Sequence, residues 1–159
     1  MEAILDEISE YERERGKPMP TLNHAVSQAN LVFALKLTYR EQYLIVSEIN
    51  LTMPERPDAV PDGAIFPKLK VNFFEDITSM TEMPLTVIEI VSPSQSDAEI
   101  IAKFKRYFDA GIQSCWLVMP SFQAVSVYSS FGKYQFFSEA DTLIDPVTGI
   151  ELPVSEIFA

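Results

Sequence analysis

The sequence predicts a mixed α/β (α+β) fold of one domain, 1–159, and three observations carry that reading. Apolar residues recur with a helical period in two N-terminal segments and again over 92–111. Short β-branched runs bounded by proline, glycine and polar residues fill the rest. Finally, the nearly continuous apolar run Leu85–Val91 is followed by a helix-length segment and then by a second apolar run, 114–120. A crossover of that length joins parallel strands, so the sheet is expected to be mixed.

In order along the chain, residues 3–16 fit a helix with Ile4, Ile8 and Tyr11 on one side, stopped by Gly16 and Pro18. Residues 22–41 carry Ala25, Ala29, Val32, Phe33 and Leu37 at helical spacing, with Thr21 or Asn23 available as N-cap. Residues 42–53 alternate as a strand, and 61–71 give a short strand after a proline-rich approach. The run 84–92 suits a strand covered on both faces. Residues 92–111 form a helix entered through Ser96 or Asp97 and ended by Gly111, with Ile100, Ile101, Phe104, Tyr107 and Phe108 as its buried arc. After the strand at 114–120, two strands joined around Phe131–Gly132 make a hairpin. The tail contains the turn Asp145–Gly149 and closes in a short helical segment.

Composition narrows the function classes. A hydrophobic fraction of 47% and a charged fraction of 22% belong to a globular chain. The single cysteine, Cys115, cannot form an internal disulfide and reads as a buried small hydrophobe. The acidic, amphipathic start is unlike a secretory signal, and no apolar run approaches the roughly 18–20 residues that cross a bilayer, so a cytoplasmic location is expected. The net charge of −11 opposes tight non-specific nucleic-acid binding. The basic residues, however, gather in Arg13–Arg15–Lys17, Lys68–Lys70 and Lys103–Lys105–Arg106. Dinucleotide, P-loop and nucleophile-elbow motifs are missing, and a lone histidine makes a zinc site of the usual composition a poor match.

Chemistry concentrates on Glu89, set inside Leu85–Val91 on the strand face it shares with Val87 and Val91. A carboxylate there needs a metal, a cation or hydrogen-bond donors, because burying it unpaired costs several kcal/mol. Asp62 lies in Val60-Pro61-Asp62-Gly63, which is a turn sequence but also opens the strand expected beside that of Glu89. Two carboxylates converging from neighbouring strands suit Mg²⁺ or Mn²⁺. Lys103, at one margin of its helix, is placed to lean over the sheet toward Glu89. Lys105 falls at the opposite margin and Arg106 points away. His24, at the start of the second helix, is either structural or within reach of a phosphate or water. Glu48 is a further metal-shell candidate or an exposed edge residue. Trp116, Phe136 and Phe137 sit in strand patterns and are expected in the core.

The runs Val60–Pro67, Thr86–Ser94, Lys103-x-x-x-Tyr107-x-x-Ala110-Gly111-Ile112 and Cys115–Val118 together resemble the Uma-two family of restriction-endonuclease-like proteins, within the PD-(D/E)xK nuclease superfamily. The resemblance spans roughly residues 10–130. It implies a restriction-endonuclease-like core of α-β-β-β-α-β order, here followed by a C-terminal hairpin. It also implies a divalent metal held by Asp62, Glu89 and the backbone carbonyl of Ile90. Where the superfamily carries a lysine two residues after the second carboxylate, this chain has Val91, and the family's displaced lysine maps to Lys103. His24 matches a histidine that precedes the family's first strand. The expected activity is Mg²⁺-dependent hydrolysis of DNA phosphodiester bonds, with a non-catalytic interaction module on the same fold as the alternative. A homodimer built on a strand edge or on the apolar C-terminal tail is compatible with either.

Overall fold

The structure is a computed structural model that describes residues 10–15 and 19–159. Helix α1 spans Glu10–Arg15; the remainder of the helix expected over 3–16, with Ile4, Ile8 and its stop at Gly16 and Pro18, lies outside the described residues, as does Lys17 of the first basic cluster. Helix α2 runs Leu22–Tyr39, and Thr21 caps it, its hydroxyl accepting from the His24 N–H at 3.3 Å. Six strands follow: β1 (Tyr43–Ser47), β2 (Gly63–Pro67), β3 (Thr86–Ile90), β4 (Ser114–Met119), β5 (Ala124–Ser130) and β6 (Lys133–Phe137). Helix α3, Asp97–Asp109, connects β3 to β4 and starts from the Ser96 cap.

The six strands form one sheet in the order β1-β2-β3-β4-β5-β6. Only the β3–β4 pair is parallel, so the sheet is mixed as the crossover requires. Alternation sends the side chains to two cores. Ile45, Ile65, Ile88, Ile90 and Trp116 face α2 through Leu31 and Leu35. Ala64, Phe66, Val87 and Cys115 face α3 through Ile100, Phe104 and Tyr107. Every residue of β3 is buried, which is why its sequence is apolar without alternation. Cys115 is fully buried, and burial raises its thiol pKa.

Several expectations are corrected. The first strand ends at Ser47 rather than continuing to 53, because Glu48 takes a left-handed backbone (φ 53°) that breaks the pleat. The chain beyond it returns through isolated bridges from Leu51 to Ala59 and Met80. Phe136 is 54% exposed, since β6 is an edge strand whose alternation turns that ring outward. Ile101 leaves the buried arc of α3 for solvent. The tail forms a small hairpin, β7 (Thr142–Ile144) with β8 (Glu151–Pro153), then a single 3₁₀ turn. Its apolar residues Leu143, Ile150, Leu152, Val154 and Ile157 belong to the chain's own α2-side core, so the tail does not offer them to a partner. Asp145, read as a turn residue, is fully buried and accepts from Ser114 Oγ, Trp116 Nε1 and the Val147 N–H, each at 2.8 Å. Among the described residues, no helix is long and apolar enough to cross a membrane.

A candidate paired-carboxylate site at the end of the sheet

The β2–β3 register pairs Gly63 with Ile88 antiparallel, so continuing it by one residue sets Asp62 opposite Glu89. Both side chains are buried, Asp62 at 2% and Glu89 at 5% exposure. Asp62 is therefore no solvent-facing turn residue. Its Oδ2 accepts the Ile90 N–H at 2.7 Å, taking up a donor at the end of β3, and its carbonyl accepts from Gln28 Nε2 of α2 at 2.9 Å. His24 Nε2 lies 3.2 Å from Asp62 Oδ1. The cap at Thr21 fixes the first turn of α2 and thereby aims the imidazole inward. His24 is itself buried, and among the described residues its Nδ1 has no hydrogen-bond partner.

Glu89 is met from α3. Lys103 and Tyr107, four residues apart, occupy one face of that helix. The Tyr107 hydroxyl donates to Glu89 Oε1 at 2.5 Å, and Lys103 Nζ stands 3.9 Å from Oε2. Burial, followed by the negative charge of Glu89, holds the Tyr107 hydroxyl well above the usual tyrosine range, so it stays a donor. Lys103 retains 31% side-chain exposure, its stem along the helix and its ammonium at the carboxylate. Val91, at the position where the superfamily pattern has lysine, packs against the α3-side core instead. A small opening borders His24, Asp62, Ile90, Ser92 and Gln95; Glu89 and Lys103 do not line it.

The structure thus gathers Asp62, Glu89, Lys103, His24 and the Ile90 backbone at one sheet end. It does not gather Glu48: among the described residues no three histidine, cysteine or acidic groups cluster. The other α3 cations have local partners. Lys105 pairs with Asp109 at 2.8 Å, and Arg106 donates to the carbonyls of Glu55 and Pro57. Tyr107 and Gln28 escaped the sequence reading as site residues. The four-residue step from Lys103 marked Tyr107, whereas nothing in the sequence marked Gln28.

The two carboxylates are the ligand type that a hard divalent cation takes. Mg²⁺ and Mn²⁺ take one or two acidic ligands and complete their shell with water. Each carboxylate oxygen has capacity beyond a single hydrogen bond. Among the described residues the buried Nδ1 of His24 meets no partner, so the cluster keeps a polar atom that those residues leave unused.

Comparison with known proteins bears on the fold and the family. A crystal structure from Anabaena variabilis ATCC 29413, described as "a putative nuclease belonging to DUF820", superposes with a TM-score of 0.75 at 23% identity, covering 89% of this chain and 83% of that one. The likeness makes the architecture a restriction-endonuclease-like fold. Comparison with curated proteins returns no match. The family model Uma2, "Putative restriction endonuclease", matches residues 7–155, and the chain belongs to that family.

Proposed function

We propose that the chain is a metal-dependent endonuclease that hydrolyses DNA phosphodiester bonds. One observation carries the reading: two buried carboxylates, Asp62 and Glu89, stand opposite each other when the β2–β3 register is continued by one residue, with a lysine beside one of them. Family membership supports the nuclease class.

Asp62, Glu89 and the carbonyl of Ile90 would hold Mg²⁺ or Mn²⁺. When bound, such an ion supplies positive charge to the scissile phosphate and acidifies a ligated water. Asp62 and Glu89 act as ligands rather than bases. Tyr107 fixes Glu89 Oε1, and His24 fixes Asp62 Oδ1, so His24 acts through Asp62 and positions it. Lys103 offers an ammonium donor to the phosphate oxygen on which negative charge grows during attack. Plasmid cleavage in Mg²⁺ or Mn²⁺ tests this. Wild type should nick and linearise DNA, and Asp62→Ala should not; equal rates would end the proposal.

A second reading has its own support. Lys103 at 3.9 Å and the Tyr107 hydroxyl partly neutralise Glu89 without any ion, as a non-catalytic interaction module would need. Titration calorimetry separates the two. Mn²⁺ binding that is lost in Glu89→Ala rules out the module, and no binding by wild type supports it.

A further inference from the structure

A second surface lies between β2 and β3. Residues 68–78 form no strand, yet their turn is held in shape. The Phe74 N–H donates to Asn72 Oδ1 at 3.0 Å, and the Ile77 N–H donates to Asp76 Oδ1 at 2.9 Å. The turn presents apolar groups to solvent. Phe73 is 93% and Phe74 101% exposed, with Leu69, Val71 and Ile77 about half exposed beside them. Next to them opens a groove of about 580 Å³, lined by Leu44 and Val46 of β1 and Phe66 of β2. Adjacent exposed rings beside an apolar groove mark a contact surface.

Charge identifies the occupant. Lys68 and Lys70 precede the two phenylalanines and Glu75 and Asp76 follow them, so this stretch is neutral on a chain of net charge −11. Lys70, Glu75 and Asp76 line the groove, and among the described residues none of the three forms an ion pair within the chain. A patch with a protruding ring, a groove and unpaired charges of both signs is complementary to itself, as a two-fold contact requires. A two-fold axis at the turn sets Lys70 of one copy against Glu75 and Asp76 of the other. A nucleic acid would meet those two acids and the repulsion of the whole chain.

We propose that two copies of this chain pair through this face, with Phe73 and Phe74 of each seated against the groove of the other. The contact lies next to β1, an outer strand of the sheet, which pairs among the described residues only with β2. The pairing is independent of the carboxylate site and of any activity assigned to it.

Sedimentation velocity on the full chain, across about a hundredfold range of concentration, reads the result. Wild type should shift from monomer to dimer, and Phe73→Ser/Phe74→Ser should remain monomeric with unchanged circular dichroism, since neither ring supports the core. Lys70→Glu should weaken association at least tenfold. Adding Glu75→Lys and Asp76→Lys to it should restore dimers by exchanging the two signs. A wild type that stays monomeric, a dimer that survives loss of both rings, or a charge exchange that fails to rescue would each overturn the pairing. So would a monomer that binds duplex DNA only when both rings are present.

Discussion

Replacing Tyr107 by phenylalanine removes one oxygen and leaves the ring in place against Phe104, whose centroid lies 6.4 Å away. What is lost is the hydroxyl that donates to Glu89 Oε1 at 2.5 Å in a site where Glu89 is 5% exposed. A hydrogen bond to a charged group contributes about 1.5–3 kcal/mol, and the value lies in that range here because the abandoned acceptor stays buried. Lys103 does not take over. At 3.9 Å and with a partly exposed side chain, its attraction is screened by solvent. In a chain of this size about 1 kcal/mol moves Tm by roughly 2–4 °C, so Tyr107→Phe should melt about 3–12 °C lower. Urea unfolding of wild type, Tyr107→Phe, Glu89→Gln and the double variant gives the pairwise term directly. A coupling of at least about 1 kcal/mol is expected. Should Tyr107→Phe stay within about 0.5 kcal/mol of wild type, with the cycle closing at zero, Glu89 is being held by something other than this hydroxyl.

Three further outcomes follow from the same geometry. Lys103→Met should leave stability within about 1 kcal/mol of wild type, because the ammonium is partly exposed, while lowering cleavage by about 10²–10³-fold in the plasmid assay. Asp145→Ala strips the acceptor from Trp116 Nε1, Ser114 Oγ and the Val147 N–H. It should cost about 3–5 kcal/mol in urea unfolding and red-shift the tryptophan emission, yet leave Mn²⁺ affinity unchanged because Asp145 is not part of the carboxylate pair. Cys115 is fully buried, and burial raises its thiol pKa, so Ellman's reagent at pH 8 should leave the native protein unlabelled. Labelling should appear only as the chain unfolds in urea, and rapid reaction with the folded protein would contradict the packing.

The β3–α3–β4 unit was legible because its signals agreed with one another. Leu85–Val91 was too apolar for a half-exposed strand, Ser96 offered a cap, and Gly111 ended the helix at φ 95°. Glu89 stood out for the same reason, as the one charge in a run that burial demanded be greasy. Asp62 was ambiguous, because Pro-Asp-Gly describes a surface turn equally well, and only the register opposite Glu89 resolves it. Tail chemistry was not legible. Asp145 sits in a sequence that any exposed turn would use, and its burial depends on Trp116 and Ser114, which lie about thirty positions away. The exposure of Phe136 is not legible because hydrophobicity marks a strand without telling whether it lies inside the sheet or borders it. Ile101 failed by one helical step, its neighbour Ile100 taking the inward place.

Asn30 of α2 donates to the carbonyls of Ile157 and Ala159, at 3.1 and 2.9 Å, and Ile157 packs in the core beneath the same helix. The helix whose first turn bears His24 is thus moored by residues made more than a hundred positions later. Contacts so distant in sequence form late, so α2 completes its packing only after the β7–β8 hairpin and the 3₁₀ turn that follows it have folded.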